Sequence, residues 1–71
     1  MKLREARLSQ LLSIRALAEK ADVSPRTIVQ IEQRRTVPTL KTARKISSAL
    51  GAEPREIDEF SSMIREAIGE T

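Results

Sequence analysis

Apolar residues along this chain recur at intervals of three and four and never settle into strict alternation, which is the spacing of amphipathic helices rather than strands. From Lys2 to about Leu12, the positions Leu3, Ala6, Leu8, Leu11 and Leu12 predict a first helix, with Arg4 and Arg7 set between them. Ser13 has the chemistry of an N-cap, and Ile14, Leu17, Ala18 and Ala21 follow as the stripe of a second helix of about two turns. Ala21-Asp22-Val23 closes it, with Asp22 the residue best suited to a left-handed corner, because Asp tolerates that conformation better than most residues other than Gly.

Ser24 to Arg35, SPRTIVQIEQRR, predicts a third helix with two unlike faces. Ser24 can accept from an unpaired N–H of the first turn. Pro25 suits the first helical position because the N–H it lacks would have no partner there. Ile28 and Ile31 point one way, and Arg26, Gln30 and Gln33 the other, at spacings of four and three. Pro38 then drives Val37 towards an extended conformation, Thr39 can cap a fourth helix over Leu40 to Leu50, and Gly51 is its left-handed stop. The inward stripe expected for helix four is Leu40, Ala43, Ile46, Ser47 and Leu50. Helix five is predicted to open at Pro54 and run over about 54–69, with Ile57, Phe60, Ile64 and Ile68 as its stripe. The fold expected is one all-α domain of five helices over residues 1–71, without repeats or low-complexity segments.

Composition narrows what such a domain can do. A chain of 71 residues buries only about 60% of the surface its unfolded form exposes, which leaves little room for a cleft in addition to a core. With neither Cys nor His there is no zinc-finger ligand set, thiol nucleophile or imidazole base, so no enzyme, metal or cofactor is expected. The carboxylates of residues 53–59 could in principle pair as acid and base, but a solvated helix surface is the simpler reading. No apolar run approaches the roughly 20 residues of a membrane span, and charges interrupt the first ten positions where a signal peptide would be apolar. The expectation is a cytoplasmic protein that does not enter a membrane.

Charge changes the picture further. The net charge of +3 conceals a split, because residues 1–45 hold 11 Lys and Arg against 4 Asp and Glu, whereas residues 46–71 hold 2 against 6. A basic half is the footprint of a polyanionic partner. The single aromatic residue, Phe60, disfavours single-stranded nucleic acid, whose bases normally stack on several rings, while duplex DNA makes no such demand. A short capped helix, a tight turn and a second helix with a polar outward face form a helix-turn-helix, whose second helix enters the major groove.

Residues 3 to 60 resemble the Cro and phage-repressor type of helix-turn-helix family. The likeness lies in an L-A-x-x-A core (Leu17, Ala18, Ala21), a V-S cap (Val23, Ser24), an I-x-x-I-E recognition helix (Ile28, Ile31, Glu32), Pro38 before helix four and A-L-G (Ala49, Leu50, Gly51) before helix five. The resemblance implies a compact five-helix lambda-repressor-like domain with its helix-turn-helix in helices two and three. It also implies sequence-specific binding of double-stranded DNA by a small prokaryotic or phage transcriptional regulator, a repressor in most cases. Base-reading positions fall at Pro25, Arg26, Val29, Gln30 and Gln33. By their chemistry Arg26 can fork onto guanine, Gln30 can pair with adenine, Val29 can touch a thymine methyl, and Pro25 offers shape. Phosphate-contacting positions fall at Arg15, Ser24, Thr27, Arg34, Arg35, Thr36, Lys41 and Arg44, with Arg4 a further basic candidate. Arg7 and Glu32 match a structural ion pair between helices one and three.

Three positions depart from the family pattern. Ile14 stands where an amide often reaches a phosphate, Arg34 replaces a Gly and must either adopt the left-handed conformation or reshape its turn, and Asp22 replaces another Gly. Helix five has two readings: it completes the core, or its end, with Ile64 and Ile68, packs on a second copy. The rival to a DNA-binding function is a protein-interaction module on the same fold, such as an antitoxin holding a toxin or a coactivator, with helix five as its docking surface.

Overall fold

The computed structural model describes residues 1–68, apart from the side chains of Ser62 and residues 66–68. Those residues form five α-helices, with no strand among them: α1 (Leu3–Ser9), α2 (Ile14–Ala21), α3 (Pro25–Glu32), α4 (Leu40–Leu50) and α5 (Asp58–Ile68). A single 3-10 turn, Pro54–Glu56, precedes α5. No described helix is long and apolar enough to cross a membrane.

The starts of α2, α3 and α4 follow directly from their caps. The side chains of Ser13, Ser24 and Thr39 accept from the backbone N–H of Ala16, Thr27 and Thr42, each satisfying a donor that the first helical turn leaves without a partner. The first four helices also end alike. A left-handed residue closes each, at Leu11, Asp22, Arg34 and Gly51, and the next residue's N–H reaches back into the last turn. Those bonds run from Leu12 to Arg7, Val23 to Ala18, Arg35 to Gln30 and Ala52 to Ser47, at 2.9–3.2 Å. Only the last of these corners is a glycine, so Leu11, Asp22 and Arg34 each hold a conformation that costs an L-residue about 1–2 kcal/mol.

The core is built from Leu3 and Ala6 of α1, Leu17, Ala18 and Ala21 of α2, Ile28 and Ile31 of α3, Ala43, Ile46, Ala49 and Leu50 of α4, and Ile57, Phe60 and Met63 around α5. Leu12, Ile14, Val23, Ala52 and Ile64 pack against its edge. α2 is the central support, packing on both α3 and α4, while α1 adds a smaller contact to α3.

Four expectations are corrected by this arrangement. Helix one stops at Ser9 rather than near Leu12, because Leu11 turns left-handed; Leu8 is exposed on α1, and Leu11, beyond its end, is 93% exposed. Leu40 occupies the first position of α4, at the rim of the cleft that α4 forms with α5, and is 54% exposed rather than part of the inward stripe. Pro54 opens the 3-10 turn and not helix five, since Ile57 is extended (ψ 117°) and α5 begins one residue later. Met63 takes a buried place that the expected stripe did not give it, Ile64 is half-buried, and the side chain of Ile68 lies outside the described residues.

The carboxylates before and within α5 are likewise not a uniformly solvated surface. Glu59 is buried, and its Oε1 accepts from the backbone N–H of Leu3 at 2.8 Å, capping the start of α1 from across the core. Asp58 lies beside the first residue, its Oδ1 3.0 Å from the Met1 nitrogen and its own N–H 2.8 Å from the Met1 carbonyl. Gln10 completes the frame by donating from Nε2 to the Leu50 carbonyl at 2.6 Å.

Candidate nucleic-acid interface

The corner between α2 and α3 is tight because Asp22 takes φ 59° and ψ 47°, and Val23 then leads straight into the Ser24 cap. Ser24 Oγ accepts from the Thr27 N–H at 3.2 Å, and the two hydroxyls lie 2.8 Å apart. One hydroxyl proton is spent between them, so the other remains free to donate outward, the kind of donor a phosphate oxygen takes. Ser24 is exposed and Thr27 half-buried.

α3 has the two faces its sequence implies. Ile28 and Ile31 are fully buried, whereas Pro25, Arg26 and Gln33 are exposed and Val29 and Gln30 are half-buried on the outward side. Its far end is fixed by a charged clamp. Arg7 Nε donates to Glu32 Oε2 at 2.7 Å and Nη2 to Oε1 at 3.1 Å, so the guanidinium meets the carboxylate as a fork. The third donor, Nη1, reaches the Leu12 carbonyl at 3.0 Å. The side chains of this pair are only 8% and 10% exposed, and through Leu12 the clamp joins α1, the left-handed corner after it and α3.

Arg34 accepts the left-handed conformation, with φ 57°, rather than reshaping the turn after α3. Arg35 follows with its N–H on Gln30, and the side chains of Arg34, Arg35 and Thr36 are all exposed. Arg15 on α2 and Lys41 and Arg44 on α4 are exposed as well. Arg44 stands on the ridge of α4, bordering both the cleft towards α2 and that towards the 3-10 turn and α5. Ile14, at the position where the family often carries an amide, is half-buried against the core.

Among the described residues the ion pairs are Met1 with Asp58, Arg7 with Glu32, and Lys45 with Asp22. Arg15, Arg26, Arg34, Arg35, Lys41 and Arg44 therefore keep their charge uncompensated within the described chain, as a surface that meets a polyanion requires. Sequence reasoning missed the roles of three polar residues that shape this frame: Glu59, which it read as solvated, and Lys45 and Gln10, which it did not single out. Each acts across a separation of more than twenty residues, and no local spacing signals such a contact.

The family model described as Helix-turn-helix matches residues 3–57, which spans α1 to the residue before α5. No curated protein and no solved structure matches the chain. With four of the five described helices inside the matched range and α2 and α3 forming the motif, the chain belongs to the Cro and phage-repressor type of helix-turn-helix family, a family of DNA-binding transcription regulators.

Proposed function

We propose that the protein is a small prokaryotic or phage transcriptional repressor that reads a specific duplex site with α3 in the major groove. The observation that carries this reading is the outward face of α3. Arg26, Gln30 and Gln33 present hydrogen-bonding groups to solvent from a helix whose opposite face is buried and whose end is clamped by Arg7. Arg26 and Gln30 supply direct base readout, with Pro25, Val29 and Gln33 beside them. Arg15, Ser24, Thr27, Arg34, Arg35, Thr36, Lys41 and Arg44 hold the backbone, which gives register and affinity without sequence information. Such a protein works where the chromosome is, in the cytoplasm.

The test is a titration of a selected site and of random duplex at several salt concentrations. Affinity should fall steeply with salt and differ between the two by at least ~10³-fold. Arg26→Ala should relax base preference at a cost of ~1–3 kcal/mol, whereas Arg35→Ala should weaken all sequences alike. If neither change altered binding, the groove assignment would be wrong.

A second reading concerns assembly. Leu40, Ala43, Met63 and Ile64 border a cleft of about 380 Å³ between α4 and α5, flanked by Arg44, Glu53 and Arg55. A second copy packed through helix five at Ile64 and Ile68 would set two recognition helices about 34 Å apart on one face of DNA. A toxin-like protein partner would use the same apolar edge. Sedimentation of the free and DNA-bound protein separates these cases, and monomer alone in both states would rule out the dimer.

A further inference from the structure

We propose that Lys45 is a positioning residue for DNA recognition, holding from α4 the left-handed corner through which α2 hands over to α3. The inference rests on the DNA-binding reading above. Lys45 Nζ donates to the Asp22 carbonyl at 3.4 Å and lies 3.8 Å from Asp22 Oδ2. The Lys45 side chain is 36% exposed, whereas that of Asp22 is 94% exposed. Asp22 is thus almost wholly in solvent, and Lys45 is its ion-pair partner among the described residues.

The place of this contact gives it leverage. Asp22 is the left-handed residue at the corner between α2 and α3, and it lies two positions before the Ser24 cap. α3 has eight residues and is therefore about 12 Å long, so a swing of about 10° at the corner moves its far end by about 2 Å. Side chains that form directional contacts must be held within about 0.5 Å. Arg7 fixes the far end of α3 through Glu32, and Lys45 fixes the near end through Asp22, so the helix is tied at both ends to elements that do not enter the groove. Lys45 also offsets the negative charge that Asp22 brings to a corner beside the recognition helix, and a cation at the end of α2 is favoured by the helix dipole.

A direct phosphate contact by Lys45 predicts something different. Its loss would weaken every duplex alike and lower the magnitude of the slope of log affinity against log salt by about 0.9. The experiment compares wild type, Lys45→Met and Lys45→Arg on a selected site and on random duplex across a salt series. It is paired with amide exchange of the free protein at Val23, whose N–H is bonded to the Ala18 carbonyl at 2.9 Å. Lys45→Met should bind the selected site about three- to tenfold more weakly, leave random duplex and the salt slope unchanged, and exchange the Val23 amide faster. Lys45→Arg should restore all three.

Equal loss on both duplexes overturns the proposal, whether the slope falls, as for a phosphate ligand, or stays, as for a general loss of stability. Unchanged binding together with unchanged Val23 exchange overturns it too. Failure of the wild type to bind any duplex would instead remove the DNA-binding reading, and the exchange measurement would still decide whether Lys45 holds the corner.

Discussion

Replacing Arg7 by Met should bring this protein close to unfolding, and replacing Glu32 along with it should restore most of what was lost. The guanidinium makes two bonds to the Glu32 carboxylate and one to the Leu12 carbonyl, and both side chains are about nine-tenths buried. Removing the cation alone strands a buried carboxylate, which costs about 3–5 kcal/mol. At about 0.05–0.15 kcal/mol per residue, a chain of 71 residues has a total stability of about 4–11 kcal/mol, so the single change removes about a quarter of it or more. In Arg7→Met/Glu32→Leu both charges are gone, and apolar side chains of similar volume in place of a buried pair are often neutral or stabilising. The remaining deficit is the donor lost to Leu12, about 1 kcal/mol. Urea denaturation followed by far-UV circular dichroism measures all three proteins. A double variant no more stable than Arg7→Met would refute the reasoning, because the cost would then lie in the link to Leu12 or in packing and not in the stranded charge. DNA titration of the same double variant gives a second, separable answer: stability should return without full site preference, since the fork that orients the end of α3 is absent.

Two further changes test other parts of the structure. Arg34→Gly releases a left-handed residue at φ 57°, and the gain of about 1–2 kcal/mol is partly offset by the greater freedom of glycine in the unfolded chain. The melting temperature should rise by about 2–8 °C while affinity falls on every duplex tested. Unchanged melting would show that the corner carries no strain. Glu59→Ala leaves the buried Leu3 N–H without its acceptor, at a cost of about 1–3 kcal/mol, whereas Glu59→Gln keeps an acceptor oxygen and should cost less. Equal losses in urea denaturation would mean that the charge at the start of α1, not the hydrogen bond, stabilises the contact.

The elements best legible in the sequence are those bounded by local chemistry. Ser13, Ser24 and Thr39 mark the starts of α2, α3 and α4 because a hydroxyl and the N–H it caps are three residues apart, and Asp22 and Gly51 mark left-handed ends for the same local reason. Leu11 defeats the same logic. A leucine at helical spacing reads as core, yet here it occupies a corner that glycine would fill more easily, and α1 ends before reaching it. Pro54 is ambiguous for a different reason, since its missing N–H suits the first turn of a 3-10 turn as well as that of an α-helix, and the extended backbone of the buried Ile57 is what separates the two. In the candidate interface, the exposure of Arg26 and Gln33 was readable from periodicity. The roles of Glu59 and Lys45 were not, because each is defined by a partner distant in the chain.

The two faces of α3 have no residue in common. Ile28, Ile31 and Glu32 seat the helix, whereas Pro25, Arg26, Val29, Gln30 and Gln33 look outward. The outward set can therefore be exchanged as a block, by natural drift or by design, without disturbing the seat. A scaffold of this kind can acquire a new address on DNA while its folding stays the same, and relatives with unrelated targets would be expected to differ on one side of this helix and agree on the other.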